Sequence, residues 1–465
     1  MVLPTDTPVL DQPESDVSTP AGRGGGIRLD VLAAVLALAL VAAATLVITW
    51  RHWYSYGRLF AWAPPLFGHF VPHIGAGTPV VVVTALAVVI WGPQLAERLS
   101  WRRLGVLGYG TAVVWTFGLA MIDGWQRGLA NQFTSSDQYL RDVPRITDIG
   151  AMLHQFTSHI LDHHPGHWIT QVSGHPPGAL LVFVGLDRLG LHGGGPAGVT
   201  CLLVGCLAAI AVPATIRALG DDATARAALP FTVLFPGAIN LGISADGLFA
   251  GVTSVALLLL AVGVGVLRSG RIVTGALVTG GGGVLLGFGV FLSYGLVLLA
   301  PIALVVCLTR RSWSAVLFAT LGAGLVVAAF AVAGFWWLDG YNLVTQRYYQ
   351  DLGRSRPYDY WVWANLAALV VAVGPVLLPG LRRAVVELCR RRWQPVVGLV
   401  LAAALAVAVA DKSGLSKAEV ERIWLPFGVW LVAGGALLPR VSRRWWLAGQ
   451  AVTAIAVGHL IMTSW

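Results

Sequence analysis

Residues 246–289 read DGLFAGVTSVALLLLAVGVGVLRSGRIVTGALVTGGGGVLLGFG. Two apolar runs are joined by the four residues Arg268-Ser269-Gly270-Arg271. A helix needs about 20 mainly apolar residues to cross a hydrocarbon core of ~30 Å, and each run supplies that length. The runs are continuous rather than alternating, so they predict helices and not the strands of a barrel. Positive charge gathers in cytoplasmic loops, so the arginine-bearing link marks the inner side. Asp246 then stands at the outer end of the first run. An acid there, with almost no loop around it, is costly unless it is paired or functional.

The rest of the chain repeats this pattern. Hydrophobic residues make up 56% of the sequence and charged residues 11%, with a mean hydropathy of +0.74. A soluble chain carries roughly a quarter charged residues. The expected fold is all-α, a polytopic transmembrane helical bundle of about 13 spans. Candidate spans are 29–50, 78–95, 104–122, 176–190, 197–217, 228–243, 246–267, 272–289, 290–309, 313–337, 361–379, 394–410, 422–438 and 446–463. Residues 1–26 read as a polar, disordered cytoplasmic tail, and 27–465 as a single transmembrane domain. The first run is too long for the core of a signal peptide. No internal repeat is evident. The four cysteines show neither a disulfide framework nor a metal-thiolate spacing.

The net charge of +9 is carried almost wholly by arginine, since Lys412 and Lys417 are the only lysines. Clusters recur at Arg98/Arg102/Arg103, Arg268/Arg271, Arg310/Arg311, Arg382/Arg383/Arg390/Arg391/Arg392 and Arg440/Arg443/Arg444. They read as topology rather than as a nucleic-acid surface. With these clusters and the N-terminus inside, the stretches 51–77, 123–175, 338–360 and 411–421 fall outside. Four segments lie between His175 and Arg268, where the sidedness needs an odd number. The 176–190 segment is short and opens at Pro176-Pro177. It is expected to be half-buried or re-entrant, unless two short segments form one span.

The outer stretches hold the candidate chemistry. The 123–175 loop is rich in aromatics and contains no Lys or Glu. A long loop with that content is expected to be functional rather than disordered. Within it, 146–161 has apolar residues at helical spacing, as in a helix lying on the membrane face. Asp123 and Asp137 can serve as a general base or hold a divalent cation against a phosphate; either could equally be a helix cap. His175, before Pro176-Pro177-Gly178, is expected to face those acids. Prolines in a first helical turn also have a purely structural use.

Arg422, beside Glu421, could bind a phosphate through its fork of donors or simply pair with its neighbour. Arg354, Arg356 and Tyr358 form an outer cationic and aromatic stretch, and Tyr294 is a further candidate for substrate binding. Six of the eleven histidines fall in the loop (His154, His159, His163, His164, His167 and His175), but their spacing matches no zinc motif.

Taken together, these residues resemble the GT-C class of membrane glycosyltransferases. In that class the first large external loop carries catalytic acids near its start and ends in a Pro-Pro motif. Here Asp123, Asp137 and His175-Pro176-Pro177-Gly178 match that order. Asp137-Gln138-Tyr139-Leu140 is similar to the start of the loop in aminoarabinose-type members. Asp246 looks like the second acid at a short external turn, and Glu421-Arg422 like a late Glu–Arg element. The likeness covers roughly 104–440, and its individual motifs are short. The chain departs from many members in having two spans before the one that leads into the loop. It also lacks a large C-terminal external domain. Arg356-Pro357-Tyr358 and Glu421-Arg422-Ile423-Trp424-Leu425-Pro426 look most like lipoglycan-modifying enzymes of actinobacterial envelopes, the methylthioxylose transferases among them.

The resemblance implies a plasma-membrane enzyme with its site on the extracytoplasmic face. It would move a sugar from a polyprenyl-phosphate donor to a glycan or lipoglycan acceptor in a lipid setting, with no nucleic acid. Asp137 or Asp123 would be the base. His175, Arg422, Glu421, Arg354, Arg356, Tyr358 and Tyr294 would bind substrate or lipid phosphate. A divalent ion, Mg or Mn, held by Asp246 is the other way to neutralise the phosphate. The alternative function is a transporter or flippase of a lipid-linked precursor. That reading calls for acids near the bilayer midplane and for paired halves.

Overall fold

The computed structural model describes residues 23–50, 56–162, 166–350 and 352–463. The expected tail falls mostly outside these residues, as do His163 and His164. The protein is an all-α polytopic membrane protein. Among the described residues seven helices are individually long and apolar enough to cross a membrane, or up to eight if one bent pair counts as a single span. Trp101–Ala120 and Arg443–Leu460 are as long but less apolar, and the other passages are broken into shorter pieces, which is why the runs seen in the sequence outnumber these helices.

The passages alternate between two ends of the bundle, one rich in arginine and one formed by the long loops. Helices α1 (Arg23–Trp50), α2 (Thr78–Arg98) and α3 (Trp101–Ala120) run toward the loop end, back, and toward it again. Next comes α4 (Pro177–Arg188), then α5 (Gly194–Ala218), α6 (Asp222–Val233), α7 (Ala245–Arg268) and α8 (Ile272–Leu292). Helices α9 (Tyr294–Leu308), α10 (Trp313–Val332), α11 (Tyr358–Val373) and α12 (Leu377–Cys389) follow. The chain finishes with α13 (Pro395–Lys412), α14 (Leu425–Leu437) and α15 (Arg443–Leu460). A 96° bend separates α11 from α12. At the arginine end, α12 holds α1 through Arg382 and Arg383, both bonded to the fully buried Asp30.

Helix α4 settles the odd-number problem. Its 12 residues span about 18 Å, no more than those of α6, so the contacts at its two ends and not its length decide whether it crosses. Both of its ends meet the long loop or its surroundings. Gly178 lies against the end of α8, so closely that a Cβ there would sit 2.5 Å from the Phe291 carbonyl oxygen. At the other end, Arg188 donates to Thr147 O at 3.3 Å, and the following Gly194 packs on the Ala130 carbonyl. The segment 176–190 therefore lies at the loop end without crossing. The passages α5, α6 and α7 then give the odd number that the arginines require.

The 123–175 loop is ordered by its own side chains. Asp142 accepts from Arg145 at 2.5 Å and from the Ile169 backbone N–H at 3.1 Å, tying the middle of the loop to its end. The stretch 146–161 contains a helix at Ile149–Gln155, N-capped by Asp148, followed by a 3-10 turn at Thr157–His159. Trp168 stacks on Phe156 and donates to its carbonyl at 2.9 Å.

A second extended segment, 60–77, crosses the loop end as a strap. Its strand β1 (Gly68–Phe70) pairs antiparallel with β2 (Ile461–Thr463), which follows α15. Two further backbone bonds, Val71 N to Leu460 O and His73 N to His459 O, both 2.9 Å, extend this anchorage.

Candidate functional site

At the loop end lies a chain of buried charges. Arg422, on the short helix Val420–Ile423, donates to Asp246 at 2.8 Å and to Glu419 at 3.0 Å. Glu419 also accepts from Arg356 at 3.0 Å, and Arg356 donates to the Lys417 carbonyl at 2.8 Å. The Lys417 ammonium in turn donates to Gly353 O at 2.8 Å. Asp246, Arg356, Glu421 and Arg422 are each no more than 5% exposed. Buried charges persist only where they are paired and hydrogen-bonded, and this chain meets that condition.

Backbone strain helps to hold the chain. Ala418 and Glu419 have φ of 69° and 65°, the left-handed region that residues with a Cβ seldom occupy. Such conformations persist where the surroundings over-determine them. Here the Ala418 N–H is bonded to Asn365 at 3.2 Å, and Arg356 grips the preceding carbonyl. The strained turn aims Glu419 between the two arginines.

Glu421 does not pair with Arg422. One of its oxygens accepts from the Phe67 N–H of the strap at 2.8 Å, while the other, buried, has no hydrogen-bond partner among the described residues. Burial pushes this carboxyl up to about 7; the Phe67 bond pulls the other way. The strap also puts the Phe67 ring under Arg356, at 5.4 Å.

The loop supplies Tyr139 and His175, whose rings lie 5.7 Å apart, and His175 packs on Phe249 at 5.8 Å. His175 is half-buried and faces the Asp246 side of the site, not Asp123 or Asp137 as expected. Its Nδ1 donates to Gln171 O at 2.8 Å, which leaves Nε2 as an acceptor when the ring is neutral. Burial lowers its affinity for a second proton. The buried Tyr139 hydroxyl has no hydrogen-bond partner among the described residues, and burial, followed by the charge of Asp246, raises its pKa.

The other predicted residues lie elsewhere. Asp137 is exposed; its carbonyl accepts from Gln171 N at 3.1 Å. Asp123 follows the loop end of α3, where Gly124 turns the chain at φ 82°, and its carboxylate meets His73 of the strap at 2.5 Å. Arg354 is exposed, and so is Tyr358, whose hydroxyl donates to Lys412 O at 3.4 Å. Tyr294 is packed against Trp337 and Tyr341.

Among the described residues no group of three or more His, Cys, Asp or Glu could hold a metal ion. At Asp246 the donor set does not fit one, because the Arg422 guanidinium already bridges Asp246 and Glu419. Of the loop histidines, His159 packs against Trp168 with the rings tilted by 50°, and His167 meets Asp162 at 3.5 Å.

Sequence reasoning saw Glu419 only as one of the charges that enter a span, and gave no role to Tyr139, Phe67 or the His73–His459 end of the strap. Tyr139 was visible only as a neighbour of Asp137. The strap carries no motif, since its role comes from backbone pairing with the far C-terminal end of the chain.

No family model matches the chain, and no curated protein sequence matches it. Among solved structures, the crystal structure of ArnT from Cupriavidus metallidurans in the apo state is similar to it. The identity is 17% and the TM-score 0.43, over 71% of this chain and 59% of that one. The chain thus spans less than two thirds of that structure's length.

Proposed function

We propose that this chain is a membrane glycosyltransferase of the GT-C type. It moves a sugar from a polyprenyl-phosphate donor to a cell-envelope glycan or lipoglycan acceptor, at the extracytoplasmic face of the plasma membrane. The observation that carries this reading is the buried Arg356–Glu419–Arg422–Asp246 chain at the loop end. Two guanidiniums, fixed in direction by carboxylates and carbonyls, are what a departing lipid phosphate needs. Charge that develops in the transition state is best stabilised by donors already in place. With Lys417 the cluster holds three cations against Asp246 and Glu419. Glu421, held up to about 7, adds only a partial negative charge near neutral pH.

Glu421 also has the properties of the base. Its pKa lies near the working pH, where general base catalysis is most effective, and one oxygen is uncommitted. In this reading the acceptor hydroxyl gives its proton to Glu421, the oxygen attacks the anomeric carbon, and the bond to the lipid phosphate breaks. Arg422 and Arg356 take up the charge on the phosphate. His175 and Tyr139 wall the sugar side. The strap must lift for the substrates to enter, since Phe67 covers Glu421. Asp123 then holds the strap through His73, and Asp137 takes no part in the chemistry.

The test has two arms. Deletion of the gene, followed by mass spectrometry of envelope glycans, is expected to remove one sugar substituent. Purified protein in liposomes is expected to release polyprenyl phosphate from its sugar-linked form in the presence of acceptor. If the glycans instead stay complete when donor is supplied on the outer leaflet of the deletion strain, the chain is a flippase and this reading fails.

A further inference from the structure

At the arginine end, far from the charged chain, a cavity of about 600 Å³ opens between α2, α6 and α15. Its inner wall is apolar, from Pro93, Ala223 and Ala227, with Pro230, Phe231 and Leu447 buried behind them. Its rim carries Arg226, Arg440 and Arg443 against Glu97 and Asp222. Both acids are already engaged. Asp222 accepts from Arg226 at 2.7 Å, from Arg217 at 3.0 Å and from the Trp101 indole at 2.5 Å, and Glu97 is bonded to Arg440.

The arginines are positioned but not used up. Arg226 holds the carbonyls of Ala96 and Leu99, at 2.6 and 2.9 Å, through one terminal nitrogen. Arg443 holds Leu438 O and Ala436 O, at 3.0 and 2.8 Å, through Nε and Nη2. Each guanidinium is thereby fixed at a helix C-terminal end. Among the described residues no hydrogen bond is made by Nη2 of Arg226 or Nη1 of Arg443. Trp101 lies between the guanidiniums of Arg217 and Arg226, at 4.9 and 5.1 Å, which stiffens the same wall. Beside the rim, Val441 and Trp445 are each 80% exposed, the pattern of residues at a lipid interface.

We propose that this cavity binds the phosphate of an anionic phospholipid, with the acyl chains along its apolar wall. Fixed donors with spare N–H groups, acids already satisfied and an apolar floor match an anionic amphiphile. Basic pockets between helices on the cytoplasmic side bind such headgroups in general. The site is separate from the proposed transfer reaction and is tested without it.

Native mass spectrometry of the purified full chain, taken from phosphatidylcholine bilayers with or without phosphatidylglycerol, is the experiment. Phosphatidylglycerol is expected to stay bound and to raise Tm. Arg443→Gln should weaken it by about fivefold, the usual effect of one basic side chain at an anionic surface. Since Arg443 also holds carbonyls, Thr224→Glu is the companion variant. It places an acid on the rim, leaves both arginines in place, and should abolish retention. Arg390→Gln, in an exposed cluster elsewhere, should change nothing. Equal retention of phosphatidylcholine, or wild-type retention by Thr224→Glu, overturns the proposal. A full Tm shift from inorganic phosphate alone, with displacement of phosphatidylglycerol, assigns the site to free phosphate and removes the lipid.

Discussion

Arg422 and Asp246, 176 residues apart in the chain, meet at 2.8 Å with both side chains about 5% exposed. The same guanidinium reaches Glu419 at 3.0 Å. Arg422→Gln would leave the buried Asp246 without its cation and Glu419 with Arg356 alone. Removing one partner from a buried pair costs roughly 3–5 kcal/mol, so this variant is expected to be poorly stable. The double variant Asp246→Asn/Arg422→Gln removes both charges and should recover much of the Tm. Its transfer rate should still fall by about 100- to 1,000-fold, the typical loss for one pre-placed electrostatic donor. A stable double variant with a wild-type rate would remove Arg422 from the chemistry.

Glu421 gives a prediction in pH. Its carboxyl is held up to about 7 in the folded protein, from an ordinary value of 4.5, chiefly by burial. The folded state then holds this proton more tightly than the unfolded chain. Stability should therefore fall as pH rises from about 4.5 to about 7 and level off above, by an amount on the order of 3 kcal/mol. Glu421→Gln keeps a neutral acceptor for the Phe67 N–H and should lose this slope. Thermal denaturation in detergent across that window is the measurement. The same variant should be the more stable protein at pH 8 yet transfer no sugar. Activity in Glu421→Gln equal to wild type would show that another group takes the proton.

The fold was legible in the sequence wherever one residue type carried the signal. Continuous apolar runs marked the passages, and arginine marked one end. Even the misfit at 176–190 was visible, because charge parity is a global constraint that a short segment breaks. Half of the site was legible for a similar reason. Asp246, Glu421 and Arg422 are charges in apolar surroundings and so stand out. Asp123 and Asp137 stood out equally, but sequence does not separate an acid that faces a strap or solvent from one that faces a buried arginine. Glu419 stood out only as one more charge at the start of a span. Its role follows from the left-handed turn at Ala418–Glu419 and from Arg356, 63 residues away. The strap was illegible because backbone pairing with Ile461–Thr463 leaves no trace in residue type.

Asp123 and His73 share one proton. His73 Nδ1 lies 2.7 Å from the Val71 carbonyl, which only accepts, so Nδ1 carries hydrogen. The 2.5 Å contact between Nε2 and Asp123 then requires a second proton, on the ring or on the carboxyl. Burial raises the Asp123 pKa, and the bond from His73 opposes that rise. Asp123→Asn can donate its amide to a neutral Nε2 and so keep the strap in place. It is expected to retain most transfer activity, whereas Asp123→Ala frees the strap and should lower both Tm and rate. Loss of all transfer in both variants, with Tm unchanged, would make Asp123 the catalytic base.

The placement of α4 predicts which side of the membrane its far end meets. A crossing helix would carry Leu189 to the arginine end. The observed one has Arg188 bonded to Thr147 of the long loop, so Leu189 stays at the loop end. Leu189 is 78% exposed and suits replacement by cysteine. The native cysteines provide the reference. Cys201, Cys206 and Cys307 are buried, while Cys389 is exposed within the arginine cluster that follows α12. A membrane-impermeant maleimide applied from outside to whole cells should label Leu189→Cys in a Cys389→Ser background, and should leave Cys389 unlabelled in the protein with its native cysteines. After the membrane is opened, Cys389 should react as well. If Leu189→Cys instead reacts only once the membrane is open, α4 crosses. The Arg98/Arg102/Arg103 cluster would then lie opposite the four later arginine clusters, and Asp246 could no longer share an end with His175.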